Sequence, residues 1–335
     1  MSNYSISKKD ITIFFVVTFG LTIAMGIAMG LVYSKHPVTF FVLLQMCYPA
    51  MGVMIALLSS RERRKDVPIK FFGTYLFFSI TSVFYLILQI FIFNQDPGSH
   101  LGFWMIIGSM LLVFMYIDEG NEQMCSSGLQ FSKNREASIL YIVIFIILYI
   151  FRLTIAALIL GGNPKDIFTP FLNPVILIKM LLLPLSFFVG IMPYMGEELG
   201  WRYFLQPILQ KKIGKRGGII LLGLIWGIWH LPVNIFYHSP MSFYSVLNQL
   251  IVCVGYSAFL GLVYMKTENI WTISMIHYIN NNLGVTIYGS TGGADFVFSW
   301  KSFLLNSICF SLIYLSFLCA KEYRGIGKKD HSKSS

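Results

Sequence analysis

Long apolar runs separated by short polar stretches dominate the chain, and most are longer than a strand or a helix of a soluble core. They predict about ten helical segments, near 11–33, 38–58, 71–93, 101–117, 138–160, 174–196, 217–237, 243–264, 269–288 and 301–320. A helix needs about 20 residues to cross the hydrocarbon of a bilayer, which is the length of most of these runs. The expected fold is therefore all-α, a polytopic transmembrane helix bundle. The connections alternate in basic content. Lys8 and Lys9, then Arg61, Arg63, Arg64, Lys65 and Lys70, then Lys133 and Arg135, then Lys211, Lys212, Lys215 and Arg216, then Lys266, fall in every second one. Basic connections stay in the cytoplasm, so the alternation predicts both termini there.

The polar stretch 118–137 divides the segments. Residues 1–137 form N-terminal transmembrane segments of unassigned role, and residues 138–320 hold about six segments. Residues 321–335, with Lys321, Arg324, Lys328, Lys329 and Lys333, are expected to form a disordered, basic cytoplasmic tail against lipid. No internal repeat is visible. The first run is expected to remain as a span, because the apolar core of a signal peptide is only about 7–15 residues.

Composition sharpens the class and adds little else. Of 335 residues, 12% are charged and 56% hydrophobic, against about 25% charged in soluble domains. The net charge of +10 sits at segment ends, with no basic stripe between aromatic residues. It reads as membrane topology, with lipid as partner and no nucleic acid. Cys47, Cys125, Cys253, Cys309 and Cys319 form no C-x-x-C pair, and no disulfide is expected.

Polar residues inside apolar runs carry the candidate chemistry. Gly196-Glu197-Glu198-Leu199-Gly200-Trp201-Arg202 places two carboxylates and a guanidinium where burial is costly unless they are paired or functional. Glu198 and Arg202 are four apart, share a helix face and can pair; Glu197 is turned about 100° away. Trp226 to His230 and His277 to Asn281 follow in later segments, the second pair again four apart. A lone helical histidine is more often a hydrogen-bonded structural residue, and Glu-x-x-x-Arg is usually a salt bridge. The clustering of these groups in three late segments favours function, and carboxylate, imidazole and amide are the groups that activate water and stabilise an oxyanion.

Other polar positions read more plainly. Arg152 is expected to pair within the bundle and Lys179 to snorkel. Pro184 and Pro193 predict a kink or break before Glu197, after which a resumed helix would run toward Gln210. His36, His100, His238 and His331 lie in loops or the tail. Asn280 and Asn282 are read as hydrogen-bonding neighbours of Asn281 rather than catalysts.

Glu197-Glu198-x-x-x-Arg202, Trp226-x-x-x-His230 and His277-x-x-x-Asn281, in that order, resemble the three signature motifs of the CPBP (Abi) family of CAAX-type proteases and bacteriocin-processing enzymes. The resemblance covers about residues 175–290, with Trp226 where the second motif often has Phe. It implies a protease core within 138–320 and peptide hydrolysis inside a bacterial plasma membrane. In the family scheme Glu197 and His230 activate water, His277 and Asn281 bind the oxyanion, and Glu198 and Arg202 hold the site in shape. The family is also labelled as metalloproteases, so zinc held by Glu197, His230 and His277 is the alternative to the metal-free reading favoured here. No His-Glu-x-x-His is present. The expected substrate is a membrane-associated or lipidated peptide or protein. The competing functions are a non-proteolytic immunity or scaffold protein, which has no need of the Glu/His/His/Asn set, and a transporter. A transporter would show polar breaks in both halves.

Overall fold

The computed structural model describes residues 6–159, 163, 165, 168–238, 242–289 and 300–324, and every regular element among them is helical. The first five helices are α1 (Lys8–Val32), α2 (Thr39–Gln45), α3 (Tyr48–Leu58), α4 (Ile69–Ile87) and α5 (Gly98–Asp118). Short α6 (Asn121–Ser126) leads to α7 (Arg135–Ile159) and α8 (Pro174–Val189). Then come α9 (Ile191–Glu198), a π-helical turn Leu199–Leu205, α10 (Gln206–Ile213) and α11 (Lys215–Trp229). α12 (Ser242–Thr267), α13 (Ile270–Tyr288) and α14 (Trp300–Tyr314) complete the bundle.

The long helices follow the apolar runs, but the expected count of about ten spans is not reached by length and composition. Among the described residues six helices are long and apolar enough to cross a membrane, or seven if the bent pair α8 and Ile191–Ile213 is one span. α11 is only 15 residues long, and α13, at 19 residues, carries the polar run Asn280-Asn281-Asn282. α14, also 15 residues, falls short by length as well.

Apolar character does not tell the two sides of a helix apart. On α1, Phe14, Thr18, Thr22, Met25, Met29 and Val32 are buried at three- and four-residue spacing, while Val16, Ile23, Ile27 and Leu31 are exposed. The weakly polar Thr18 and Thr22 face inward while large apolar side chains lie on both sides, because lipid solvates such side chains as well as a protein core does. Gly52 of α3 meets this face: a methyl there would lie 2.7 Å from Thr18 Oγ1 and 2.9 Å from the Phe14 carbonyl. The Thr39–Leu58 span is the most enclosed, 78% buried against 28% for α1. Of the N-terminal segments it is α2 and α3 that lie deepest in the bundle.

Two polar stretches are more ordered than their composition suggests. The 118–137 connection is tied to the start of α13. Asn269, the N-cap of α13, donates to the carbonyls of Phe131 and Lys133, both at 2.9 Å, and the Trp271 indole donates to the Leu129 carbonyl at 2.8 Å. The tail expected to be disordered from Lys321 instead begins with a folded turn, Lys321–Tyr323. Tyr323 is buried and donates to the Ala258 carbonyl at 2.7 Å, and Glu322 pairs with Lys266. Residues 325–335 lie outside the described residues.

Candidate functional site

The helix break foreseen from Pro184 and Pro193 lies at Gly190, where α8 and the following helix bend by 72°. Pro193 sits in the first turn of α9, where a helix has no intrahelical acceptor for its N–H groups and a missing donor costs nothing. Side chains from the N-terminal half satisfy the backbone freed by the break. Ser109 Oγ accepts from the Met192 N–H at 3.4 Å, and Tyr75 O–H donates to the Met192 carbonyl at 3.0 Å. Such replacement partners are what make irregular backbone tolerable at membrane depth. The helix then resumes through Glu197, Glu198 and the π-turn and ends at Ile213.

Glycines set the approach of the motif helices. A methyl on Gly196 would lie 3.0 Å from the Cys47 Cα, and one on Gly200 would lie 3.1 Å from the Pro49 Cα, so the carboxylate helix rests on the backbone before and within α3. On α11, a methyl on Gly223 would fall 2.5 Å from the Val254 Cα and one on Gly227 3.0 Å from the Leu250 Cα. This Gly-x-x-x-Gly seam locks α11 to α12 and fixes the register of Trp226 and His230. Gly223→Val is expected to lower the thermal midpoint of the detergent-solubilised protein, as overpacking costs about 1–3 kcal/mol. An unchanged midpoint would mean the seam is not tight.

Two buried clusters result. In the first, Glu198 lies between two cations or potential cations. Arg202 Nη1 is 3.1 Å from its Oε2, and His277 Nδ1 is 2.7 Å from its Oε1. Glu198 and Arg202 are fully buried, and His277 is 8% exposed. In the second, Glu197 Oε2 accepts from the Trp226 indole at 2.6 Å and from the Trp201 indole at 3.4 Å. Trp226 joins the two: Arg202 lies 4.3 Å over its ring, and its carbonyl is 2.8 Å from His230 Nδ1. Glu197 and His230 therefore flank one tryptophan rather than meeting by a direct hydrogen bond.

The partners set the histidine tautomers. A carbonyl only accepts, so His230 carries its proton on Nδ1 and leaves the Nε2 lone pair free when neutral. His277 Nδ1 donates in the same way to the Glu198 carboxylate, again leaving Nε2 free. Binding an oxyanion through that nitrogen requires the imidazolium form, with Glu198 as counter-ion. Asn281 lies one turn beyond His277 and is exposed; its Oδ1 accepts from Asn280 Nδ2 at 2.9 Å.

Several residues at the site were not singled out from the sequence as partners. Trp201 stands four residues after Glu197, and Trp226 four before His230, so helical spacing carried a signal. Gln45 gave none: its amide donates to the Trp229 carbonyl at 2.7 Å from 184 positions away, capping the end of α11. Cys253, with Sγ 3.9 Å from His230 Nδ1, is likewise supplied by α12. Arg152 stacks on Tyr149 and Phe310 at 5.3 and 6.0 Å, and Lys179 is exposed. All five cysteines are free; Cys47, Cys253 and Cys309 are buried, whereas Cys125 and Cys319 are exposed.

Among the described residues no group of three His, Cys, Asp or Glu side chains is placed to hold a metal ion. Glu197 accepts from two indoles, and His277 reaches Glu198 through Nδ1.

Fold and site together define an integral membrane protein of apolar helices around a buried acid, arginine and histidine centre. Residues 179–283, the stretch that carries all three motifs, match the family described as type II CAAX prenyl endopeptidase Rce1-like. The chain is also similar to CAAX prenyl protease 2 of Methanococcus maripaludis, 35% identical over 75 residues. That match covers 22% of this chain and 27% of the archaeal protein. No solved structure matches the chain.

Proposed function

We propose that the protein is an intramembrane endopeptidase that hydrolyses a peptide bond of a membrane-associated or lipidated substrate. The observation that carries this reading is the gathering of Glu197, Glu198, Arg202, His230 and His277, from three separate helical stretches, around Trp226 in an apolar bundle. Burial of so many polar groups is costly, and a scaffold does not require it. The similarity of residues 179–283 to CAAX prenyl endopeptidases points to the same chemistry.

In the proposed reaction Glu197, with His230 Nε2 alongside, takes a proton from water. The resulting hydroxide attacks the carbonyl carbon of the scissile bond. The negative oxygen of the tetrahedral intermediate is held by His277 Nε2–H, in its imidazolium form, and by the Asn281 amide. The C–N bond then breaks as the proton passes to the leaving amine. Glu198 and Arg202 hold His277 and Trp226 in place. The proposed reaction has no step through a metal.

The test uses the full-length protein in lipid vesicles and a panel of internally quenched peptides, with and without a prenylated cysteine near the C-terminus. Cleavage of any peptide supports the reading, and the preferred peptide identifies the substrate class. No cleavage across the panel counts against it. Excess chelator is expected to leave the rate unchanged, and elemental analysis to find less than one zinc per chain. A rate lost to chelator and restored by zinc would move the mechanism to a metal.

A further inference from the structure

Asn281 is the most exposed of the proposed catalytic groups, and an asparagine amide has two unlike ends. Its oxygen only accepts and its NH2 only donates. An amide free to flip would offer an oxyanion the wrong end part of the time. Asn280 is turned about 100° from Asn281 around α13, toward α12. There Tyr256 O–H donates to Asn280 Oδ1. With its oxygen taken, Asn280 donates through Nδ2 to Asn281 Oδ1 at 2.9 Å. The Tyr256 ring is held by Phe310 and Tyr314, with centroids 4.8 and 5.0 Å away. The polarity is thus set at the rigid end: a buried hydroxyl orients one amide, which orients the next.

We infer that Tyr256 and Asn280 are positioning residues that occupy the Asn281 oxygen and so present its NH2 to the oxyanion. This inference rests on the endopeptidase reading. The sequence offered Asn280 only as a neighbour, and Tyr256, 24 residues earlier, is brought in by the packing of α12 on α13.

Tyr256→Phe removes the hydroxyl and keeps the ring and its packing. Its kcat on the best peptide of the panel should fall about tenfold, short of the 10²–10³-fold cost of deleting an oxyanion donor. KM and the thermal midpoint should be unchanged. Asn280→Ala should give a similar loss, and Tyr256→Phe with Asn280→Ala no more than Asn280→Ala alone, because the two act in series. An unchanged kcat in Tyr256→Phe, or additive losses in the double variant, would overturn the inference. If Glu197→Gln abolishes cleavage while Tyr256→Phe is fully active, only the relay fails. If the wild type cleaves nothing, the endopeptidase reading fails and takes the relay with it.

Discussion

Glu197→Gln and His230→Ala are each expected to reduce peptide cleavage by about 10²–10⁴-fold, the range for removing a general base. The glutamine variant is the sharper of the two. It keeps the volume of Glu197 and an oxygen to accept from the Trp226 indole, now 2.6 Å away, so the local hydrogen bond survives and only the charge is lost. The protein should reach the membrane at the wild-type level and melt at a similar temperature. His230→Ala removes the free Nε2 but leaves the backbone turn, in which the Asn234 amide donates to the residue 230 carbonyl at 3.1 Å. Full activity in both variants would exclude the water-activating roles proposed for them. Loss of activity in both with normal protein levels would separate an enzyme from an immunity or scaffold protein.

Arg202→Met should be the most damaging single change to stability. Glu198 and Arg202 are both fully buried, and Arg202 also lies over the Trp226 ring at 4.3 Å. Deleting one partner of a buried ion pair costs about 3–5 kcal/mol; here Glu198 would lose its permanent counter-ion and keep only His277, a cation only when protonated. The expected readout is a large drop in thermal midpoint and in the folded fraction extracted from membranes. Glu198→Gln combined with Arg202→Met should recover much of that loss, since the pair is then replaced by neutral groups of similar volume. Recovery of stability without recovery of activity would separate the two roles of Glu198. One is to balance Arg202; the other is to hold His277, whose Nδ1 is 2.7 Å away. Equal stability of Arg202→Met and wild type would show that the pair contributes nothing.

Much of the architecture was legible along the chain. A span must be helical, apolar and about 20 residues long, and these are local properties. Pro184 and Pro193 pointed to the break before the carboxylates, since backbone chemistry causes it. The Glu198–Arg202 pair followed from four-residue spacing. Other features resisted. The inward face of α1 is not marked by apolarity, because lipid and protein core accept the same side chains. The folded turn at Lys321–Tyr323 looked like tail, because one buried tyrosine against the Ala258 carbonyl decides it.

The sequence by itself determined the class of the protein, the helices, the break in the carboxylate helix and the short list of polar groups, because each depends on neighbours within about a helical turn. Only the tertiary structure decided how those groups are wired. It put Trp226 between Glu197 and His230, gave Glu198 to His277 as well as to Arg202, and brought Gln45, Tyr75 and Ser109 from the N-terminal half to the backbone around the site. These partners are far apart in the chain. Close backbone approach at glycines and the need to satisfy every buried polar group choose them, and neither constraint is written in the local order of residues.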